Sequence, residues 1–132
     1  MKENEISREI VGAAMKIHKI LGPGLLESVY EIVLTHELKL RGLSVERQVP
    51  VRIRYEGLSL DDAFRADVVV NNCVLVEIKS VERLSPAHHK QTLTYVKLSD
   101  MKLGLLLINF GAAYLKDGLS RLINGNIESM SI

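Results

Sequence analysis

The chain is 132 residues long, 47% hydrophobic and 25% charged, with a net charge of +1. That length suits one domain with a real core, spanning 1–132, and the composition excludes a disordered or fibrous chain. The near-neutral balance excludes a protein that holds nucleic acid by bulk charge alone, so any such contact must come from a local basic patch.

From about Ser7 to Leu21, apolar residues recur at helical spacing: Ile10, Ala13, Ala14, Ile17 and Leu21. The run GPG at 22–24 breaks this helix and reads as a helix–helix corner. A second helix is expected from Leu25 to about Arg41, with Gly42 as its C-terminal cap. Its two apolar stripes, Leu26/Val29/Val33 and Tyr30/Leu34/Leu38, predict cover on two sides. His18 and His36 fall within these helices and read as packing residues.

VERQVPVRIRY, residues 45–55, alternates in its second half and reads as a half-buried strand, with Pro50 marking an edge or bulge. EGLSLDD is then expected to connect it to the hairpin FRADVVVNNCVLVEIKS, residues 64–80. A helix follows with Ser85 as N-cap and Pro86 at its first position, in LSPAHHKQTLTYVKLSD. LGLLLINF, from Leu103, is apolar on both faces and should be a central strand. YLKDGLSRLINGN could be a short strand or a helix. The order α-α-β-β-β-α-β predicts an α/β (mixed α+β) fold with a central mixed sheet flanked by helices.

No apolar run approaches the ~20 residues of a membrane-spanning helix. The N-terminal MKENEISREIVG has no signal-peptide core, and the single Cys73 fits a reducing compartment. The expected location is the cytoplasm, with no membrane partner.

Register inside the hairpin can be argued from hydrophobicity, because strand side chains alternate faces. Val68, Val70, Val74, Val76 and Ile78 are even-numbered; Arg65, Asp67, Glu77 and Lys79 are odd. A two-residue NN turn would mix the sets, whereas an odd turn over Asn71, Asn72 and Cys73 pairs 70 with 74 and sets Asp67 across from Glu77. An odd turn is therefore predicted, with Asn at positive φ. Its charged face would carry Asp67, Glu77 and Lys79. Two facing carboxylates favour a cation between them, and oxygen donors suit Mg²⁺ or Mn²⁺. A lysine two residues on can assist an attacking water, so the set fits metal-assisted phosphodiester hydrolysis. The plainer alternative is a Lys79 salt bridge to Glu77 or Asp67 on a solvated face.

The pattern ADVVV…VLVEIKS resembles the D…(D/E)xK core of the PD-(D/E)XK nuclease superfamily, whose restriction-endonuclease-like core runs α-β-β-β-α-β. Gln91 and Tyr95, at i and i+4, are similar to the Q-x-x-x-Y motif of exonuclease domains in bacterial recombination helicase-nucleases. GLLESVY, with Gly24, Glu27 and Tyr30, resembles the signature of the small GxxExxY family within that superfamily. Ala66 stands where the superfamily's name has proline.

The resemblance implies Asp67, Glu77, the Ile78 carbonyl and Glu27 as ligands of Mg²⁺ or Mn²⁺. It implies Lys79 as the residue that assists the water, with Gln91 in support. Glu27 has a second reading, as an acid stabilising its own helix N-terminus. Arg65, His88, Tyr95 and Tyr30 are the nucleic-acid-binding candidates, with Tyr30 also readable as core. Arg47, Arg52, Arg54, Arg83 and Lys90 read first as a solvated face, and His89 as surface. The implied function is a metal-dependent nuclease, DNA ahead of RNA, with substrate choice supplied by a homodimer or a partner protein. The alternative is a catalytically silent nuclease-fold binding or protein-interaction module.

Overall fold

A computed structural model of the chain describes residues 1–98, 103–123 and 126–129. Helices α1 (Glu3–Leu21) and α2 (Glu27–Leu40) precede strands β1 (Val45–Tyr55), β2 (Leu58–Val70) and β3 (Val74–Lys79). Helix α3 (Pro86–Leu98) leads into β4 (Gly104–Asn109), a 3₁₀ turn at Leu115–Gly118, β5 (Leu119–Ile123) and β6 (Asn126–Ser129). The six strands form one sheet in sequential order, with β3 and β4 parallel and every other pair antiparallel. The α3 crossover is what makes that one pair parallel.

Three layers result. Under α1 and α2, Ile10, Ile17, Tyr30, Leu34 and Leu38 pack on Val68, Val70, Val76 and Ile78. On the other face Leu93 and Val96 of α3 cover Val69, Leu75, Leu105 and Leu107. The sheet is therefore apolar on both sides, and β4, lying between β3 and β5, is as central as its sequence implied. The tail resolves as the 3₁₀ turn and β5, with Asn124 and Gly125 outside the described residues, as are Ser99 and Asp100 at the end of the expected third helix.

Gly42 ends α2 as expected, through a Schellman motif. Its φ is +84°, its amide bonds the Lys39 carbonyl at 3.0 Å, and the Leu43 amide bonds the Leu38 carbonyl at 3.1 Å. The second expectation for α2 holds only in part. Tyr30, Leu34 and Leu38 are fully buried, but Leu26 is 74% exposed and Val29 is exposed too. The helix lies beside α1 on the outside of the sheet, so the second stripe meets the core only through half-buried Val33. Leu21 and His36 are likewise exposed rather than packed.

EGLSLDD is not a connection. Tyr55 pairs with Leu58 across a two-residue turn in which Glu56 (φ +43°) and Gly57 (φ +85°) are both left-handed, and β2 begins at once. β1 is an edge strand, which accommodates Pro50. Its register against β2 shifts between Val51 and Ile53.

Candidate active site

The hairpin turn is the odd one. Val70 pairs with Val74 and Val68 with Val76, and Asn71 and Asn72 have φ of +51° and +50°. The even-numbered valines and Ile78 all lie in the α1/α2 core. The pairing then stops: β2 and β3 part immediately beyond Val68 and Val76. Asp67 and Glu77 occupy that opening and bind each other's strands. The Asp67 amide donates to Glu77 Oε1 at 3.2 Å, and the Ile78 amide donates to Asp67 Oδ2 at 2.8 Å. Each carboxylate replaces a backbone partner that the diverging ladder no longer supplies.

A single charged odd face, however, is not what forms. Phe64 and Ala66 pack on the α3 side, whereas Val68 and Val70 pack under α2. Alternation therefore inverts around Asp67, and β1 does the same opposite it. Arg47 reaches Glu31 of α2, while Val49 and Val51 join the α3 side. Register is unchanged from Arg47↔Val68 to Val49↔Ala66, but the intervening Gln48/Asp67 position is unpaired and Gln48 has φ +52°. This twist carries Asp67 to the α2 side, where it lines a cavity with Glu27, Ser28, Glu31, Gln48 and Ile78.

Glu77 is 4% exposed. Burial, and then the charge of Asp67, push its carboxyl up from the ordinary value to about 8. Burial also raises Asp67, with the charges of Glu31 and Glu27 adding to the effect and the Ile78 amide and Lys79 opposing it. Lys79 ends β3 half-buried beside Asn109 of β4. Its charge acts on both carboxylates, but the ion pairs among the described residues do not include it. The expected alternative, a Lys79 salt bridge, is not formed.

Glu27 is the first residue of α2, and its carboxylate accepts from the Ser80 amide at 3.3 Å just past β3. It thus ties α2 to the end of the ExK strand instead of capping its own helix, and it lines the Asp67 cavity. Two raised carboxyls at one opening are a donor set suited to a hard divalent cation that keeps several waters. Among the described residues, no three His, Cys, Asp or Glu side chains already converge as a metal cage.

The nucleic-acid candidates divide. Tyr30 is 0% exposed, stacks on Phe110 with ring centroids 4.4 Å apart, and bonds through its hydroxyl to the Gly22 carbonyl and Leu25 amide. It is a core residue that pins the GPG corner, not a substrate contact. Tyr95 stacks on Phe64 at 4.9 Å, so its ring is committed to holding α3 on β2. Arg65 donates to Asp62 at 2.9 Å and to the Gln48 carbonyl at 3.2 Å. Gln91 is exposed and His88 half-buried, with His88 Nδ1 lacking a hydrogen-bond partner. His89 is not surface: its ring is within reach of Ser120 Oγ at 3.2 Å.

Three contributors were missed. Glu31 lies at i+4 from Glu27, a spacing that placed it on the same helical face. Arg47 had been read as a solvated charge, but it binds Glu31 at 2.6 Å. Asn109, the one amide in an apolar strand, binds Val81 through both backbone groups at 3.0 and 2.9 Å and fixes the segment after Lys79.

Comparison with known proteins agrees with this architecture. No curated protein and no solved structure matches the chain. The family model of the PD-(D/E)XK nuclease superfamily matches residues 4–122, taking in all the candidate residues above. With nearly the whole chain matched, from α1 to β5, this protein belongs to the PD-(D/E)XK nuclease superfamily.

Proposed function

We propose that the chain is a divalent-metal-dependent phosphodiesterase acting on nucleic acid, DNA ahead of RNA, of the small type that GLLESVY suggests. The observation that carries this reading is the opening at the end of the β2–β3 ladder. There two carboxyls with raised pKa values bracket each other's strands beside an ammonium that no ion pair among the described residues consumes.

Asp67 and Glu77, with the Ile78 carbonyl and Glu27 as further oxygen donors, would hold Mg²⁺ or Mn²⁺. When bound, the ion offsets charge on the phosphate and makes a water more acidic. Lys79 offsets charge building on the phosphate oxygens and orients the attacking water. The water oxygen forms the new bond to phosphorus and gives its proton to bulk water, the ester bond breaks, and the departing oxygen takes up a proton from bulk water. Gln91 supports Lys79 from α3, and His88 offers a ring nitrogen to a phosphate. A second copy or a partner protein in the cytoplasm would supply substrate choice.

One observation favours the silent binding module instead. Arg47, Arg52 and Arg65 are already in ion pairs with Glu31, Asp61 and Asp62, which leaves a thin electrostatic footprint for a polyanion.

The test is cleavage of supercoiled, linear and branched DNA and of RNA with Mg²⁺ or Mn²⁺, beside Lys79→Ala. Metal-dependent cleavage that falls by about 10²-fold or more in the variant is expected for a lost group that offsets charge on the reacting phosphate. Cleavage indifferent to the substitution would place the activity elsewhere. No cleavage together with no Mn²⁺ binding would overturn the nuclease reading and favour the binding module.

A further inference from the structure

Beneath the two carboxylates lies a second set of polar groups to which the reading above assigns no task. Glu31 is 5% exposed, and both of its oxygens are engaged. Arg47 donates to Oε2 at 2.6 and 3.1 Å, and Gln48 Nε2 donates to Oε1 at 2.6 Å. One buried acid of α2 thus grips two consecutive residues of β1.

In a regular strand, consecutive side chains face opposite ways, so one partner could not hold both. Gln48 makes it possible through a left-handed φ of +52°, which a residue with a Cβ rarely adopts unless its surroundings enforce it. The consequence falls on Asp67. It stands opposite Gln48, and that position is unpaired within a register that is otherwise continuous from Val45 to Val51. Gln48's carbonyl bonds the Arg65 guanidinium instead. Released from pairing on the β1 side, and also parted from β3, Asp67 turns into the cavity that Glu27, Glu31 and Gln48 line.

We propose that Glu31 is a positioning residue. Through Arg47 and Gln48 it holds the Gln48 position of β1 out of the ladder opposite Asp67, and so sets Asp67 toward Glu27 and Glu77 without binding the metal itself. The role rests on the metal-dependent reading above. It explains why a buried acid stands beside Asp67, whose ionisation its charge opposes: that charge is matched by Arg47, so Glu31 adds a fixed strut.

Two measurements on the full chain test it. The first is calorimetric titration with Mn²⁺ of the wild type, Glu31→Ala and Glu31→Gln, each checked for folding by circular dichroism. Residues that orient metal ligands typically change affinity 10- to 100-fold when removed, so about that loss is expected in Glu31→Ala. Glu31→Gln keeps an acceptor for Arg47 or Gln48 and should keep most of the affinity. Equal loss in both variants would make Glu31 a ligand, and no loss in Glu31→Ala would deny it any role; either overturns the proposal. The second is a crystal structure of Glu31→Ala, in which Gln48 should relax to an ordinary strand φ and pair with Asp67. Persistence of the positive φ and the cavity would overturn the proposal whether or not the chain binds metal. Absence of Mn²⁺ binding in the wild type alone would instead sink the functional reading.

Discussion

Asp67 and Glu77 are joined through each other's strands: the Asp67 amide bonds the Glu77 carboxylate, and the amide next to Glu77, that of Ile78, bonds the Asp67 carboxylate. The arrangement needs both acids close together in a site where water solvates neither well. That conflict sets the pH behaviour. Both carboxyls titrate higher in the folded chain than in the unfolded one, Glu77 at about 8. The stability they contribute is therefore complete below the unfolded carboxylate values, near pH 4, and is lost as pH rises through about 8. Thermal melts of metal-free protein should show Tm falling from about pH 5 to about pH 8 and levelling off above that. Saturating Mn²⁺ should remove most of that slope, since a bound cation replaces the proton. A flat metal-free profile would contradict the burial of this pair.

Glu77→Gln separates stability from function at the same site. The amide oxygen can still accept from the Asp67 amide, while the like-charge conflict disappears. Metal-free protein should gain stability above about pH 8, by a few kcal/mol at most, given about 1.4 kcal/mol per pKa unit. Mn²⁺ binding and cleavage should both be lost. Denaturant unfolding at two pH values, with and without metal, measures all of this. Loss of stability in metal-free Glu77→Gln would mean the charge is not the burden that its burial indicates.

How far the sequence revealed this arrangement differs from residue to residue. Valine parity was enough to fix the odd turn and bring Asp67 to Glu77, because a one-residue slip would have turned Val74, Val76 and Ile78 away from the face that Val68 and Val70 share. The helix starts at Pro86 and the cap at Gly42 were legible for similar local reasons. The inversion of faces at Gln48 and Asp67 was not. It depends on a left-handed glutamine held by a buried glutamate from another helix, and no residue type signals that. Exposure on α2 was misread because two apolar stripes say nothing of which one a neighbour will cover. The apolar stripe of Tyr30 already offers its core reading beside the substrate one, whereas nothing in the spacing of Tyr95 signals that its half-buried ring stacks on Phe64.

Tyr30 provides a direct check on that correction. Its hydroxyl bonds two backbone groups of the GPG corner, and its ring stacks on Phe110. Tyr30→Phe should cost about 1–2 kcal/mol by removing those hydrogen bonds, and Tyr30→Ala about 3–5 kcal/mol by leaving a cavity. Neither change should alter substrate affinity in the fraction that stays folded. Chemical denaturation and filter binding, done side by side, tell the two roles apart. A Tyr30→Phe variant of unchanged stability but weakened nucleic-acid binding would return the residue to the substrate surface.

Asn109 links core and chemistry most directly. It is 3% exposed at the end of β4, and its amide extends the sheet by one step where backbone pairing ends. Oδ1 accepts from the Val81 and Gly111 amides, both at 3.0 Å, and Nδ2 donates to the Val81 carbonyl at 2.9 Å. The segment so fixed lies between Lys79 and α3, and its Ser80 amide holds Glu27. Asn109→Ala leaves three backbone groups without partners in a buried place and should cost about 2–4 kcal/mol. Asn109→Asp should fare no better, because a carboxylate would face the Val81 carbonyl. A Cβ at Gly111 would collide with the Val81 backbone, so only glycine lets the two segments approach this closely. Without the Asn109 side chain that approach loses its side-chain bonds, so Lys79 and Glu27 should lose their placement together. In Asn109→Ala, kcat should fall further than the folded fraction does, which single-turnover cleavage beside a denaturation curve would measure. Full activity per folded molecule would show that Asn109 serves the fold alone.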